Sequence, residues 1–82
     1  MYLHLGQDVI VHTEDILGIF DLDTASAAAR TRDYLARAEK EKRVVNVSAE
    51  LPKSFIVTTA PGRPVYLSPV SAATLLRRSA VL

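Results

Sequence analysis

The chain of 82 residues has no cysteine and no tryptophan, and only three glycines, four prolines and five aromatic residues. Each shortage excludes something. Without cysteine there is no disulfide framework, no thiolate metal site and no thiol nucleophile, and nothing places the chain outside a reducing compartment. The glycines stand at positions 6, 18 and 62, too far apart for a phosphate-cradling loop. The aromatics are Tyr2, Phe20, Tyr34, Phe55 and Tyr66, most at core-like positions of the pattern, which disfavours recognition of single strands by base stacking. No apolar run approaches the roughly 20 residues of a membrane span, and Met1-Tyr2-Leu3-His4-Leu5-Gly6 has no basic segment ahead of an apolar core. The expectation is a soluble, cytoplasmic chain without a leader or a membrane partner.

What is present starts with length and charge. A chain this short buries only about 60–65% of the surface its unfolded form exposes, so residues 1–82 are expected to be one domain with a small core that self-association would supplement. The ten Lys and Arg against nine Asp and Glu leave a formal charge of +1. That balance hides a division. Residues 1–29 carry five acids and no Lys or Arg, hence −5, whereas residues 30–82 carry all ten basic residues and four acids, hence +6. Such asymmetry fits a basic face for nucleic acid, a head-to-tail contact between subunits, or cancellation within one folded chain.

Hydropathy patterning predicts the elements. Tyr2 to Leu5 and Val9-Ile10-Val11 flank Gly6-Gln7 as two strands joined by a tight turn. After His12-Thr13-Glu14-Asp15, the run Ile16-Leu17-Gly18-Ile19-Phe20 has the content of a buried strand, with Gly18 marking a bulge or a close backbone approach. Residues 23–42 hold no Gly or Pro and are rich in Ala, Arg and Glu, which predicts a helix capped by Asp23, Thr24 or Ser26. Its apolar face, Ala27, Ala28, Thr31, Tyr34, Leu35 and Ala38, is expected to pack on the chain's own sheet. Asp33, Arg37 and Glu41 stand four apart as neutralising pairs.

Arg43 to Val47 reads as a strand and Glu50-Leu51-Pro52 as a loop. The strands Ser54 to Thr59 and Val65 to Leu67 then flank Pro61-Gly62, the pair a type II turn demands. Ser68-Pro69 resembles an N-cap and first helical position, opening a last helix whose Arg77-Arg78 complements the helix dipole. The fold class is therefore α+β: a small antiparallel-rich sheet, one long Ala-rich helix and one short C-terminal helix.

Little in this pattern supports catalysis. His4 and His12 have no metal-ligand spacing, Asp21 and Asp23 suit a helix start, and Ser68, Ser71 and Thr74 form no nucleophile arrangement. No enzyme activity, cofactor, metal or small-molecule substrate is expected. For nucleic acid, Lys53 precedes a strand, Arg63 is at a hairpin tip, and Arg30 and Arg32 lie on the long helix. With a net charge of +1, one protomer would hold double-stranded DNA weakly, because affinity grows with the number of phosphates neutralised. Repeating these charges in a homo-oligomer raises it through effective concentration.

The order of segments resembles the bacterial extracellular matrix regulatory family, the RemA/RemB regulators of biofilm matrix genes, and is similar above all to the RemB type. The resemblance runs from Tyr2 to about Arg78. It is carried by Tyr2-Leu3-His4-Leu5-Gly6 with Val9-Ile10-Val11, by Asp15 to Asp21, by Pro52 to Thr58, and by Tyr66-Leu67-Ser68-Pro69 with Ser71, Thr74-Leu75 and Arg77-Arg78. It implies a LytTR-like α+β domain that closes into a ring-shaped homo-oligomer and binds DNA to activate matrix genes, without cofactor or reaction. In the RemA type, DNA contact is linked to an arginine before the third strand and an arginine pair before the later hairpin. The corresponding places here hold Glu14-Asp15 and Glu50-Leu51, and carboxylates repel phosphate. Lys53 is the nearby position that keeps a basic side chain, so the resemblance leaves two readings: a DNA-binding ring, or a ring or dimer that serves as a protein scaffold.

Overall fold

The computed structural model describes residues 1–22 and 29–80. Strands Tyr2–Gly6 (β1) and Val9–His12 (β2) pair antiparallel with Tyr2 opposite His12, and the chain reverses at Gln7-Asp8. Thr13–Asp15 makes one 3-10 turn into Ile16–Asp21 (β3). Helix Ala29–Lys40 (α1) follows, then Val44–Asn46 (β4), Ser54–Thr58 (β5), Val65–Ser68 (β6) and helix Ala72–Ala80 (α2). The fold is α+β. The proposed caps Asp23, Thr24 and Ser26, and Ala27 and Ala28 of the expected helix face, lie outside the described residues.

The larger sheet has the order β3-β5-β6-β4, antiparallel except for the β4–β6 pair, which is parallel with Val45 beside Tyr66. β5 is central and buried on both faces, so its alternating side chains serve two cores. Ile56 points into the first, where the β1–β2 hairpin supplies Leu3, Leu5 and Val11 and α2 supplies Leu75. Phe55 points into the second, against Val65 and the α1 residues Tyr34, Leu35 and Ala38. The small-residue face of α1 therefore packs on the chain's own sheet, as its pattern predicts.

One turn and one bulge follow their chemistry. Ala60 accepts the Arg63 N–H at 2.7 Å across Pro61-Gly62, and Gly62 has φ +84°, the conformation that position of a type II turn requires. In β3 the register slips between Ile16 and Gly18, which leaves Leu17 as the bulged residue. A Cβ on Gly18 would stand 2.6 Å from Cε2 of Phe20, so Gly18 is also the close approach its position suggests.

Three expectations need correction. β3 is not a buried strand: it stands at the edge of the sheet, and Leu17 and Phe20 are 66% and 44% exposed. The aromatics follow expectation in the main: Phe55 is buried and Tyr34 and Tyr66 pack half-buried against the two cores, while Tyr2 is on the outer face of the hairpin, ring to ring with His12 at 4.5 Å. Ser68 is not the N-cap of the last helix. Its hydroxyl is buried, donating to the Leu5 carbonyl and accepting the Val70 N–H, which holds it as the last residue of β6. The cap is Ser71, whose Oγ accepts the Thr74 N–H at 3.2 Å. Finally, Glu41 lies beyond the end of α1 and pairs with Arg43 at 2.9 Å rather than with Arg37.

Candidate nucleic-acid and subunit interface

The strand directions define two ends of the sheet. At one end lie the 3-10 turn with Glu14-Asp15, the β5–β6 turn with Arg63, and the connection from α1 to β4. At the other lie the segment after β3, the loop 47–53 and the connection from β6 to α2. Hydrogen bonds hold these ends together: Thr59 N–H to the Asp15 carbonyl at 2.8 Å at the first, and Leu22 N–H to the Lys53 carbonyl and Lys53 N–H to the Ser68 carbonyl at the second.

The four cations are distributed across this frame. Lys53 and Arg63 lie beyond opposite ends of β5, whose five residues alone span about 17 Å. Arg30 projects from the first turn of α1 and, with Arg63, borders an open groove of about 450 Å³. Arg32, two positions further along α1, is about 200° around the helix from Arg30 and does not line that groove. The structure thus brings Arg30 and Arg63 to one feature, places Lys53 at the opposite end, and sets Arg32 on another side of the helix. The side chains of Lys53, Arg30 and Arg63 are exposed and make no ion pair among the described residues.

The groove runs between α1 and β3. Its floor is Phe20, Phe55 and Val57, one wall is Thr31 and Tyr34, and Leu17 stands at its open side. Toward Arg63 it meets a polar group centred on Arg43. That guanidinium lies 5.9 Å from the centre of the Tyr34 ring, binds Glu41, and donates to the Arg63 carbonyl at 3.0 Å. Tyr34 and then Glu41 raise the tendency of Arg43 to keep its proton above even the ordinary arginine value. Arg43 therefore anchors the turn that presents Arg63.

The acidic residues are equally divided. Glu14 accepts from the chain's amino group at 3.1 Å and from the Thr13 hydroxyl at 3.0 Å, which holds its carboxyl below the usual range. Glu50 is in the far loop, where its N–H donates to Ser48 Oγ at 2.9 Å. Within one protomer the loops holding Glu14-Asp15 and Glu50-Leu51 are at opposite ends of the sheet.

Other titratable and nucleophilic side chains have local duties. His4 Nε2 is 2.6 Å from the Gln7 carbonyl in the β1–β2 turn, and Arg78 donates to the His4 carbonyl at 3.2 Å, joining the end of α2 to β1. The buried hydroxyls of Ser54, Thr58 and Ser68 donate to the carbonyls of Val70, Pro64 and Leu5. Among the described residues no group of three or more His, Asp or Glu is placed to hold a metal ion, and no helix is long and apolar enough to cross a membrane.

Residues 2–78 match the sequence model of the family described as extracellular matrix regulatory protein A-like. The chain belongs to this RemA-like family. It is also 40% identical over 79 residues to extracellular matrix regulatory protein B of Bacillus subtilis (strain 168), an overlap of 96% of this chain and 90% of that protein. The matched span is the one the four sequence blocks mark out, and the similarity to the RemB type stands.

Three exposed apolar residues escaped the sequence reading: Leu17, Phe20 and Leu51. Leu17 and Phe20 sit in a run that reads as core, and only the sheet order puts them at an edge. Leu51 carried a signal, being an apolar residue among Ser48, Ala49, Glu50 and Pro52 in a loop, where burial is not expected.

Proposed function

We propose that this RemA-like chain is a non-enzymatic, cytoplasmic regulator of extracellular (biofilm) matrix gene expression that works as a homo-oligomer on double-stranded DNA. The supporting observation is that Lys53, Arg63 and Arg30 are exposed and make no ion pair among the described residues, on a chain whose family is named for regulation. Lys53 leads this set, and Arg32 is a further exposed basic side chain on the far side of α1. Two or three cations spread over the length of β5 neutralise too few phosphates for firm binding by one protomer, whereas a ring repeats them. Light scattering on the eluting protein and duplex binding at two salt concentrations test this together. The expected outcome is an assembly well above 9.0 kDa whose DNA affinity falls steeply between 50 and 200 mM salt, as counterion release requires. A 9.0 kDa monomer, or no binding to promoter-length duplex at 50 mM salt, rejects it.

A second reading rests on Glu14-Asp15 and Glu50, exposed or half-exposed carboxylates at both ends of the sheet. It makes the oligomer a scaffold that contacts another protein and not DNA. The two readings part on whether an assembled wild-type protein shifts duplex at 50 mM salt.

A further inference from the structure

The two edges of the four-stranded sheet are unlike. β4 has three residues and ends in Asn46, a short edge that offers little to pair with. β3 has six residues and no strand along its outer side among the described residues. From Ile16 to Phe20 it carries no charged side chain and no proline, the devices that ordinarily keep an edge from pairing. Its one guard is the bulge at Leu17, which leaves the stretch from Gly18 onward regular. Hydrogen bonds fix what this edge presents. Asp15 accepts from the Thr59 N–H and the Leu22 N–H donates to Lys53, so Gly18 and Phe20 are the residues bonded to β5, and the N–H and C=O of Ile19 point away from the sheet. Apolar grooves flank the edge on both faces. The α1–β3 groove opens on one, and on the other Ile16, Ile19 and Leu76 line a second of about 260 Å³. Leu17, 66% exposed, stands at the mouth of both.

We propose that the outer edge of β3 is a strand-addition site for an extended segment of a partner protein, apolar on both faces at its centre and basic at its ends. A strand laid along β3 sends successive side chains alternately into the two grooves, so its centre is apolar throughout and not alternating. Charge sets its ends. The edge is closed by Asp15 and Asp21, about 20 Å apart along the strand, in the part of the chain that holds acids and no Lys or Arg. Arg30 and Arg63 border the α1 groove from other elements. The same acids argue against a second copy as the occupant. Full overlap of two β3 edges about a two-fold axis sets Asp15 of one opposite Asp21 of the other at both ends, and like charges directly opposite are destabilising. The site uses none of Lys53, Arg63, Arg30 or Arg32, so it goes beyond the proposed function and stands whether or not the chain binds DNA.

The probe is a blocked peptide, Lys-Thr-Val-Ile-Val-Leu-Thr-Lys, added to the isotope-labelled full chain. Its binding is expected to slow exchange of the Ile19 amide by about tenfold or more and to shift the resonances of β3 and Leu76. Main-chain hydrogen bonds carry strand addition. N-methylating one alternate set of the peptide's amides is therefore expected to abolish binding, and N-methylating the other set to leave it. Glu in place of both Lys should weaken binding, and high salt should narrow that difference. Leu17→Gln, at an exposed position, should weaken binding with the melting temperature unchanged, whereas Val45→Gln on the β4 edge should leave binding as it was. Equal binding by both N-methylated peptides, shifts centred away from β3, or no binding at millimolar peptide overturns the site. A Glu-ended peptide that binds as well as the Lys-ended one overturns the basic ends. An Ile19 amide protected in the peptide-free chain and released on dilution gives the edge to a second copy and likewise overturns the proposal. Each result is read on β3 itself, so it is separate from the assembly size and duplex binding that test the proposed function.

Discussion

The ring of Phe20 stacks on Phe55 with centroids 4.9 Å apart and planes 20° from parallel, directly above Gly18. This contact joins the edge strand to the buried central strand and forms the floor of the groove beside α1. It exists because position 18 has no side chain. Gly18→Ala is therefore expected to push the Phe20 ring off Phe55, costing about 1 kcal/mol for the broken aromatic pair. The cost stays modest because a half-exposed ring has room to swing outward. A lower urea midpoint, with loss of the ring-current shifts on Phe55, checks it. An unchanged midpoint and spectrum would show that the ring is not held there.

Ser68 ties the two sheets together at a buried point. Its hydroxyl serves the Leu5 carbonyl of β1 and the Val70 N–H at once. Ser68→Ala leaves a buried carbonyl and an N–H without partners, for which about 1–3 kcal/mol of stability is expected to be lost. Chemical denaturation should show a lower midpoint with the same slope, since the surface exposed on unfolding is unchanged.

Glu14 makes acid sensitivity predictable in sign. The hydrogen bond from the chain's amino group, then that from Thr13, depresses its folded pKa below the ordinary glutamate value. A depressed carboxylate stabilises the fold above its unfolded pKa and loses that contribution as pH falls through the folded one. Glu14→Gln should thus lower the melting temperature slightly at neutral pH, and the difference from wild type should vanish in acid. Because the pair is exposed, high salt should shrink it as well. A difference that grows in acid would contradict the assigned bond.

For the cations, Lys53→Ala is expected to weaken duplex binding uniformly across sequences and to lower the salt slope by about one for each phosphate the lysine neutralises. Arg43→Ala should behave differently. It frees the Arg63 carbonyl and Glu41, so its first effect is on the order of the β5–β6 turn, read as faster amide exchange at Gly62, Arg63 and Val65. If Arg43→Ala left that exchange unchanged while abolishing DNA binding, Arg43 would itself belong to the contact surface.

The relation between sequence and structure differs from element to element. The β1–β2 hairpin, though its turn falls at Gln7-Asp8 and not at Gly6-Gln7, the type II turn at Pro61-Gly62, the bulge beside Gly18 and the small-residue face of α1 were legible, because each depends on local backbone freedom or on the period of one segment. Ser68-Pro69 misled for a local reason as well: the same serine that suits an N-cap also ends a strand, and only the Leu5 carbonyl brought in from β1 distinguishes the two. The candidate site was less legible. Lys53, Arg63, Arg30 and Arg32 were nameable as exposed cations, but their grouping was not.

By itself, then, the sequence determined the α+β class, the succession of strands and helices, and membership of a family whose members are named as matrix regulators. Tertiary structure alone decided that β3 is an edge, that β4 joins β6 in parallel, that Arg30 and Arg63 border one groove, and that Leu51 and Leu17 face solvent at opposite ends of the sheet. The reason is physical. Turn type, helix propensity and amphipathic period are properties of a few neighbouring residues, whereas strand order pairs segments tens of residues apart. Which side chains remain uncovered depends on every such pairing at once.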